Sequence, residues 1–235
     1  MDSGSAIDHG QFSLSLTAPA ANKPCSAINP TASMSSVQNH PDKNVIRVQL
    51  TQNPVLSDLT ASERMELEQL LTVVDCQKGD FLLHQGVHDM EQYFVLDGIL
   101  KRVVSNSQAK EMILRFSDER DMETSYAAWR LGTPTPYSIV SVTKARVAKL
   151  PLPTWVAFME QHLTLKASFE YSVMRLMSEI LAHTITLHML DAPGRVQRFL
   201  RKHPELFERI PKKELASYLN LSAETLSRLK QSGKI

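Results

Sequence analysis

Residues 212–230 read KKELASYLNLSAETLSRLK, and their apolar pattern predicts two short helices separated by a turn. We expect the first helix over Lys213–Leu219 and the second over Ala223–Lys230. Asn220 tolerates the left-handed backbone conformation of such a turn, and Ser222 is a good N-cap for the second helix. The side chains expected to face inward are Leu215, Ala216, Leu219, Leu221, Leu226 and Leu229. This spacing is that of a helix-turn-helix.

With its apolar side turned inward, the second helix of this motif directs its other side chains outward. In a DNA-binding helix-turn-helix, the first turns of that helix meet base edges in the major groove. Arginine pairs bidentately with guanine, and glutamate accepts from the amino group of cytosine. The alternative is a plain surface ion pair between Glu224 and Arg228. The predicted DNA-contacting residues are Ser222, Ala223, Glu224, Ser227, Arg228, Lys212 and Lys213.

The charge of the chain is unevenly distributed. The whole chain has 26 Lys and Arg against 25 Asp and Glu, a net charge of +1. Residues 192–235 alone carry a net charge of +6, which leaves −5 for residues 1–191. A basic terminal block on an acidic chain favours a polyanion as partner, although a merely well-solvated basic surface has the same composition. Arg195 and Arg201, together with the two lysines at 212 and 213, are expected to hold phosphates.

Composition excludes several classes of protein. The 235 residues contain no run of about 20 apolar residues, so no membrane span is expected. The first ten residues, MDSGSAIDHG, lack a basic segment followed by an apolar run, which predicts a cytoplasmic protein without a secretory signal. Cys25 and Cys76 are too few for a disulfide framework, a four-cysteine zinc site or an iron–sulfur cluster. We therefore expect no metal site.

Short apolar runs separated by turn residues extend from Val74 to Leu152. They include FLLHQG (81–86), QYFVLDGILKRVV (92–104) and EMILRF (111–116). This pattern predicts six to eight β-strands in an antiparallel barrel or sandwich, whose interior is a common place for a small ligand. No nucleophile–base pair or carboxylate cluster is evident there, so we expect no catalytic residues and no enzyme.

Upstream of the strands the chain is polar. Ser, Ala, Pro, Asn and Gln dominate residues 1–44 without sustained periodicity, which predicts a disordered tail with order beginning near residue 46. Thr60 and Glu63 have the spacing of a capping box at the start of a short helix.

The longest helical pattern precedes the helix-turn-helix. Its apolar positions alternate by four and three residues, which predicts a two-stranded coiled-coil contact between two copies of the chain. An intramolecular bundle is the alternative. A second stripe, of Met174, Met177, Leu181 and Thr184, is expected to pack on the β-domain. His183 and His188, five residues apart, are poorly spaced for two ligands on one helical face. The predicted dimer seam is Phe169, Val173, Leu176, Ile180, His183, Leu187 and Leu190.

Three segments in order resemble the CRP/FNR superfamily of bacterial transcription regulators. KGDFLLHQG…YFVLDGIL is similar to the family's cyclic-nucleotide-binding-type β-roll, LDAPGRVQRFL to its hinge and following helix, and SAETLSR to its recognition helix. The resemblance covers residues 46–235 and implies an α+β fold with a jelly-roll-like antiparallel β-roll. The implied domains are a disordered N-terminal tail (1–45), the β-roll sensor (46–153), dimerisation helices (154–190) and a helix-turn-helix DNA-binding domain (191–235).

The resemblance also implies a function. It implies a homodimeric activator that binds double-stranded DNA at a palindromic operator, with RNA polymerase as a further partner and an effector in the β-roll. In the FNR-like branch the recognition helix reads E-x-x-S-R, which Glu224, Ser227 and Arg228 match; the cyclic-AMP receptor branch has Arg where this chain has Ala223. This implies TTGAT-type half-sites with Arg228 reading guanine. The alternative is a sensor module that acts through protein partners.

The sensor departs from the cyclic-AMP pattern. Cyclic-AMP-binding members of the family hold the phosphate with an Arg-Ser pair and the ribose with a Glu that follows a Gly. The matching segments here are Met122-Glu123-Thr124 and Tyr137-Ser138, so the Glu and the Ser are kept and the Gly and the Arg are not. Without that Arg the phosphate loses its main countercharge. On the long helix, the family's adenine-contacting Thr-Ser pair is replaced by Ile180-Leu181. The candidate effector-pocket residues are Glu123, Thr124, Tyr137, Ser138, Ile180 and Leu181.

These departures disfavour cyclic AMP, and the cysteine count disfavours an iron–sulfur cluster. The effector is unknown. An apolar or aromatic molecule, another nucleotide, haem held by a single axial ligand, or no effector at all stay open.

Overall fold

The computed structural model describes residues 34–108 and 110–233. The strands in these ranges are β1 (Met34–Ser36), β2 (Thr72–Cys76), β3 (Phe81–Leu83), β4 (Glu91–Asp97), β5 (Leu100–Ser105), β6 (Glu111–Ser117), β7 (Met122–Thr124), β8 (Ser138–Ser141) and β9 (Ala145–Pro151). The helices are α1 (Lys43–Thr51), α2 (Ala61–Leu70), α3 (Tyr126–Arg130), α4 (Leu152–Gln161), α5 (Leu163–Met189), α6 (Ala192–Lys202), α7 (Pro204–Arg209), α8 (Lys212–Tyr218) and α9 (Ala223–Gln231). None of these helices is long and apolar enough to cross a bilayer.

The strands form two antiparallel sheets. Their orders are β1-β2-β9-β4-β7 and β3-β8-β5-β6. Tyr93 and Val147 of the first sheet share a buried apolar cluster with Leu100 and Ile139 of the second, so the two sheets close on each other as a roll. The predicted α+β fold with an antiparallel β-roll is confirmed, with β2 to β9 where six to eight strands were expected.

Gly98 makes the tight reversal between β4 and β5. Its φ is +87°, and a Cβ atom there would lie 2.3 Å from the carbonyl oxygen of Lys144. Both the backbone conformation and the close approach of the neighbouring loop therefore require glycine.

The amino-terminal part of the described chain corrects one prediction. Residues 34–45 were expected to belong to a disordered tail, but Met34 pairs with Val74 in the first sheet and Val37 is fully buried. Val37 packs in the same cluster as Ile46 and Leu50 of α1. This segment is polar in composition, but strand pairing and the buried Val37 side chain hold it in an ordered conformation. The predicted boundary of the disordered tail is therefore wrong at residues 34–45. Residues 1–33, which include Cys25, lie outside the described residues.

The predicted capping box begins α2. Thr60 Oγ1 accepts from the Glu63 N–H at 3.3 Å, and the Thr60 N–H donates to Glu63 Oε2 at 2.7 Å. The reciprocal bonds satisfy two amide donors that the helix itself leaves unpaired.

The long helix α5 presents the predicted dimer seam to its own chain. Phe169 is fully buried, and its ring lies 5.5 Å from Trp155 and 5.2 Å from Tyr126. Leu176 is also buried, and the His183 ring stacks on Tyr218 at 3.8 Å. The periodicity was real, but Phe169, Leu176 and His183 pack within the chain itself, so these three residues do not form a seam with a partner helix in the observed arrangement.

The second apolar stripe of α5 is exposed instead of packing on the β-domain. Leu181 is 62% exposed, and Met174 and Met177 are exposed to a similar degree. The prediction that this stripe packs on the β-domain is therefore wrong.

Helices α6 to α9 form a small domain that packs on the outer face of the second sheet. Ile99, Val103 and Val140 of the β-roll share one buried cluster with Leu215 and Leu219. Because side chains alternate along a strand, this outer face of β5 is distinct from the face that carries Leu100 into the roll.

Polar contacts also join the two domains. Lys101 Nζ lies 2.8 Å from Glu214 Oε2, and the Arg209 guanidinium donates two hydrogen bonds to the Glu119 carboxylate at 2.5 and 2.8 Å. The domain formed by α6 to α9 is thus held against the β-roll by both apolar packing and ion pairs.

Candidate DNA-binding surface and effector site

The helix-turn-helix has the geometry expected from its sequence. Helices α8 and α9 lie within one residue of their predicted bounds, and Asn220 between them has a φ of +53°. The Leu221 N–H donates to the Ala216 carbonyl at 2.8 Å and closes the turn. The predicted inward-facing residues are buried or, for Leu221, packed against the same cluster.

The candidate recognition residues lie together at the start of α9. Ser222 caps the helix, because its Oγ accepts from the Thr225 N–H at 3.0 Å, and the Ser227 hydroxyl donates to the Ala223 carbonyl at 3.0 Å. The helix's own backbone thus occupies both hydroxyls. Glu224 and Arg228 are exposed beside them.

The two charged residues of this face, Glu224 and Arg228, do not pair with each other. In the described part of the chain, neither Glu224 nor Arg228 forms an ion pair within 4.0 Å, with each other or with another residue. The surface ion pair that was the alternative interpretation is not formed. A guanidinium and a carboxylate one turn apart are therefore available to an external partner.

Basic residues flank this face in two different ways. Lys212 and Lys213 are exposed at the start of α8, as a phosphate-contacting role requires. Arg195 was expected to help hold phosphates, but its Nε donates to the Leu190 carbonyl at 2.9 Å and its Nη1 to the Leu219 carbonyl at 3.2 Å. Arg195 therefore ties the end of the long helix to the turn of the helix-turn-helix.

Four of the predicted effector-pocket residues do come together inside the β-roll. Glu123 is completely buried, and Thr124, Tyr137 and Ser138 are each at most 9% exposed. The other two residues lie elsewhere, since Ile180 and Leu181 are on α5 and Leu181 is largely exposed. Within one chain, the predicted six-residue pocket is not formed.

Arg102 fills the space beside these four residues. Its Nε and Nη2 both donate to Glu123 Oε2, at 3.0 and 2.5 Å, and Nη2 also donates to the Thr124 carbonyl at 3.1 Å. Its Cζ atom lies 4.1 Å from the centre of the Tyr137 ring, in cation–π contact. Arg102 is 1% exposed, so the pair is shielded from water.

Other polar groups of the pocket also have partners within the chain, although the buried Glu123 Oε1 accepts no hydrogen bond. Arg115 Nη1 lies 3.4 Å from Glu123 Oε1, and the Tyr137 hydroxyl donates to the Thr124 carbonyl at 2.7 Å. Ser138 Oγ accepts from the Gln85 N–H at 2.9 Å. Arg102 therefore already occupies one oxygen of the Glu123 carboxylate inside the β-roll.

Sequence reasoning missed Arg102, although strand periodicity contains the signal. Leu100, Arg102 and Val104 alternate along β5, so all three face the interior between the sheets. A charged residue in that register is buried and needs a carboxylate partner.

One further ionisable group lies at the edge of this network. Arg115 Nη2 bonds Asp121 Oδ2 at 2.9 Å, and burial raises the pKa of Asp121 to about 6. Asp118 and Glu123 act in the same direction, because nearby negative charge disfavours ionisation.

His183 joins the long helix to the helix-turn-helix domain. Its Nε2 lies within hydrogen-bond distance of the Tyr218 carbonyl at 3.1 Å, and burial lowers the pKa of His183 to about 4. Because its Nε2 is already in contact with the Tyr218 carbonyl, His183 is not a free axial ligand for haem. His188, in contrast, is exposed to solvent. Among the described residues, no group of three or more His, Cys, Asp or Glu is arranged to hold a metal ion.

Comparison with known proteins agrees with this architecture. Residues 73–162 match the cyclic nucleotide-binding domain family. FixK2 from Bradyrhizobium japonicum has a TM-score of 0.61 at 16% identity, over 69% of this chain and 86% of that one. A putative transcriptional regulator of the CRP/FNR family from Eubacterium rectale has a TM-score of 0.61 at 16% identity, over 77% and 87%.

A third structure is the c-di-GMP-responsive global regulator CLP of Xanthomonas campestris. It has a TM-score of 0.61 at 14% identity, over 74% of this chain and 92% of that one. A search of curated proteins gave no match. Residues 73–162 therefore match a cyclic nucleotide-binding domain, and the chain has the fold of CRP/FNR-family regulators. The resemblance inferred from the sequence is confirmed at this level.

Proposed function

We propose that the chain is a sequence-specific DNA-binding transcription regulator that binds a palindromic operator as a homodimer. The observation that carries the proposal is the exposed start of α9, where Glu224 and Arg228 are unpaired on a capped second helix of a helix-turn-helix. The net charge of +6 over residues 192–235 suits a polyanionic partner. The CRP/FNR-like fold supports the same function.

The proposed contacts follow from the exposed groups. Arg228 reads guanine in a TTGAT-type half-site, because a guanidinium matches the O6 and N7 acceptors of guanine in the major groove. Lys212 and Lys213 contact phosphates and set the register of the domain on the duplex. Glu224 accepts from a base amino group.

The homodimer forms through the exposed stripe of α5 rather than through the seam first expected. Its members recur at intervals of three and four residues, which places them on one face of the helix. Large apolar side chains exposed in a continuous stripe mark an interaction surface, and two copies of this helix bury the stripe reciprocally. The stripe is formed by Tyr171, Met174, Met177, Leu181, Ile185 and Met189.

The effector of the proposed regulator is not cyclic AMP held at Glu123. The Arg102–Glu123 pair takes the position that a ribose would need, and both side chains are buried. Cytoplasmic location, RNA polymerase as a partner and an activating role belong to the same proposal.

The test compares two substitutions on two duplexes. Binding of the full chain to a palindromic TTGAT-type duplex and to a scrambled duplex is followed by fluorescence anisotropy at fixed salt. We expect Arg228→Ala to cost about 1–3 kcal/mol on the palindrome and far less on the scrambled duplex, whereas Lys212→Ala weakens both alike.

Two outcomes contradict the proposal. If Arg228→Ala lowers both affinities by the same factor, Arg228 does not read bases. If neither duplex binds and the chain instead captures protein partners, the function is that of a sensor module without DNA.

A further inference from the structure

A cleft of about 220 Å³ lies where the β-roll, the long helix and the DNA-binding domain meet. Strand β6 and helices α5 and α6 form its walls, and α8 closes one end. This cleft, which we term the junction cleft, is separate from the filled interior of the β-roll. Its principal residues are Phe116, Arg175, His183, Arg198, Phe199 and Lys202.

The junction cleft has more positive than negative groups. Five cationic side chains line it, against the three carboxylates of Asp118, Asp121 and Glu179. The five cations are Arg115, Arg175, Arg195, Arg198 and Lys202.

Three of these cations have no carboxylate partner, and one of the three, Arg195, instead donates to the backbone carbonyls of Leu190 and Leu219. Arg115 and Arg175 are paired with Asp121 and Glu179, but Arg198 and Lys202 make no ion pair within 4.0 Å to any described residue. They are one helical turn apart on α6, so both reach the same side of the cleft. Positive charge converging on one point without a counterion is an arrangement suited to an anion.

Burial and the positive charge of α6 together lower the pKa of two nearby histidines. Burial lowers the pKa of His183, and Lys202 and Arg198 lower it further. Burial also lowers the pKa of His203, again with a contribution from Lys202. Both imidazoles therefore experience the unpaired positive charge of α6.

The wall beside these cations is aromatic. The Tyr218 ring lies 5.1 Å from Phe116 and 5.7 Å from Phe199, and the three rings bridge the β-roll, α8 and α6. A planar apolar body can pack against such a wall, and the volume limits the ligand to a small molecule.

We propose that the junction cleft binds a small organic anion, whose phosphate or carboxylate head lies between Arg198 and Lys202 and whose flat body packs against Phe116 and Phe199. Such a ligand contacts both domains at once. It therefore stabilises the observed position of the DNA-binding domain and changes operator affinity. This last step rests on the proposed function.

Isothermal titration calorimetry of the full chain with phenyl phosphate tests the binding step without DNA. We expect phenyl phosphate to bind, and inorganic phosphate and phenol each to bind at least about tenfold more weakly, since each lacks one half of the recognised chemistry. Absence of heat with phenyl phosphate at millimolar concentration would overturn the proposal. Equal affinity for all three probes would overturn it as well.

A matched pair of variants places the site. Arg198→Ala/Lys202→Ala should weaken phenyl phosphate by about tenfold or more, because charge-assisted hydrogen bonds are lost. Lys78→Ala/Lys110→Ala is the control, since it also removes two exposed cations and neither of them lines the cleft. Equal weakening in both variants would show attraction to general positive charge and would overturn the site. Circular dichroism checks that all variants remain folded.

A second experiment measures the coupling between phenyl phosphate binding and DNA binding. Saturating phenyl phosphate should shift operator affinity of the wild-type chain but not of the Arg198→Ala/Lys202→Ala variant, because coupling between two sites requires the first site. Unchanged wild-type affinity would refute the coupling. Because calorimetry contains no DNA, failure of the proposed anion site and failure of the proposed DNA-binding function are separately visible.

Discussion

Replacing Arg102 with methionine removes one partner of a buried ion pair while keeping most of the side-chain volume. Arg102 is 1% exposed and Glu123 is completely buried, so little solvent screens the carboxylate that is left behind. Breaking such a pair on one side costs about 3–5 kcal/mol. Arg115 remains 3.4 Å from the other carboxylate oxygen and offsets part of the loss, so we expect about 3 kcal/mol.

Urea denaturation followed by tryptophan fluorescence measures this loss. Both tryptophans of the chain, Trp129 and Trp155, belong to the apolar cluster that packs on the β-roll, so the signal reports unfolding of that part. Protein concentration is held fixed, because association would otherwise shift the apparent stability. Lys166→Met is the control, since Lys166 pairs with Glu160 at 2.9 Å while the two side chains are 33% and 57% exposed, and its loss should cost far less than the loss of Arg102.

The double variant Arg102→Met/Glu123→Leu separates pairing from packing. If the two charges stabilise each other, the double variant is destabilised by less than the sum of the single variants, with a coupling of about 1–3 kcal/mol. Strict additivity, or a loss in Arg102→Met no larger than in Lys166→Met, would refute the view that Arg102 and Glu123 close the β-roll as a pair.

Three further expectations concern dimerisation, pH and a turn. Leu181→Asp should give monomers in sedimentation velocity, because it places a charge in the exposed stripe of α5. Leu131→Asp is the control: it changes an exposed leucine outside that helix and should leave the dimer intact. A dimer that persists in Leu181→Asp would place the interface elsewhere. The raised pKa of Asp121 means that the folded state binds its proton more tightly than the unfolded state, so stability should fall as pH rises from about 4 to 6. Asp121→Asn should flatten that part of the urea-midpoint profile, and an unaltered profile would contradict the assignment. Gly98→Ala should lower the melting temperature, because the added Cβ would lie 2.3 Å from the Lys144 carbonyl oxygen. An unchanged melting temperature would show that the backbone of the turn shifts to accommodate the Cβ.

The helix-turn-helix was predictable because its determinants are local. The left-handed turn at Asn220, the cap at Ser222 and the spacing of Leu215 and Leu226 all act within a few residues. The strands of the β-roll were predictable for a similar reason, since turn residues bound each short apolar run. Which strands pair is a long-range property, and only the resemblance to a family supplied it.

The faces of α5 were not predictable from periodicity. Apolar spacing shows that a face is buried, but not whether another copy or the same chain buries it. Phe169 and Leu176 fit the heptad seam, yet the positions that meet them are in the chain's own core. The stripe containing Met174 and Leu181 is equally apolar, so the sequence alone does not rank the two faces.

The closed interior of the β-roll was missed because it depends on a charge in an apolar strand. In the cyclic-AMP-binding pattern an arginine precedes the serine that matches Ser138, and this sequence has Tyr137 at that position. The structure brings an arginine to the same place from β5, through the alternation that points Arg102 inward. Pairing across sheets is set by the fold and not by neighbouring residues.

The most direct test of the proposed function is a salt series with two duplexes. Wild-type chain is titrated into a palindromic TTGAT-type duplex and into a scrambled duplex of equal length, from low to physiological salt. We expect affinity for both to fall steeply with salt, because phosphate contacts release counterions, and the palindrome to stay preferred throughout. Equal affinity for the two duplexes at every salt concentration would contradict the account.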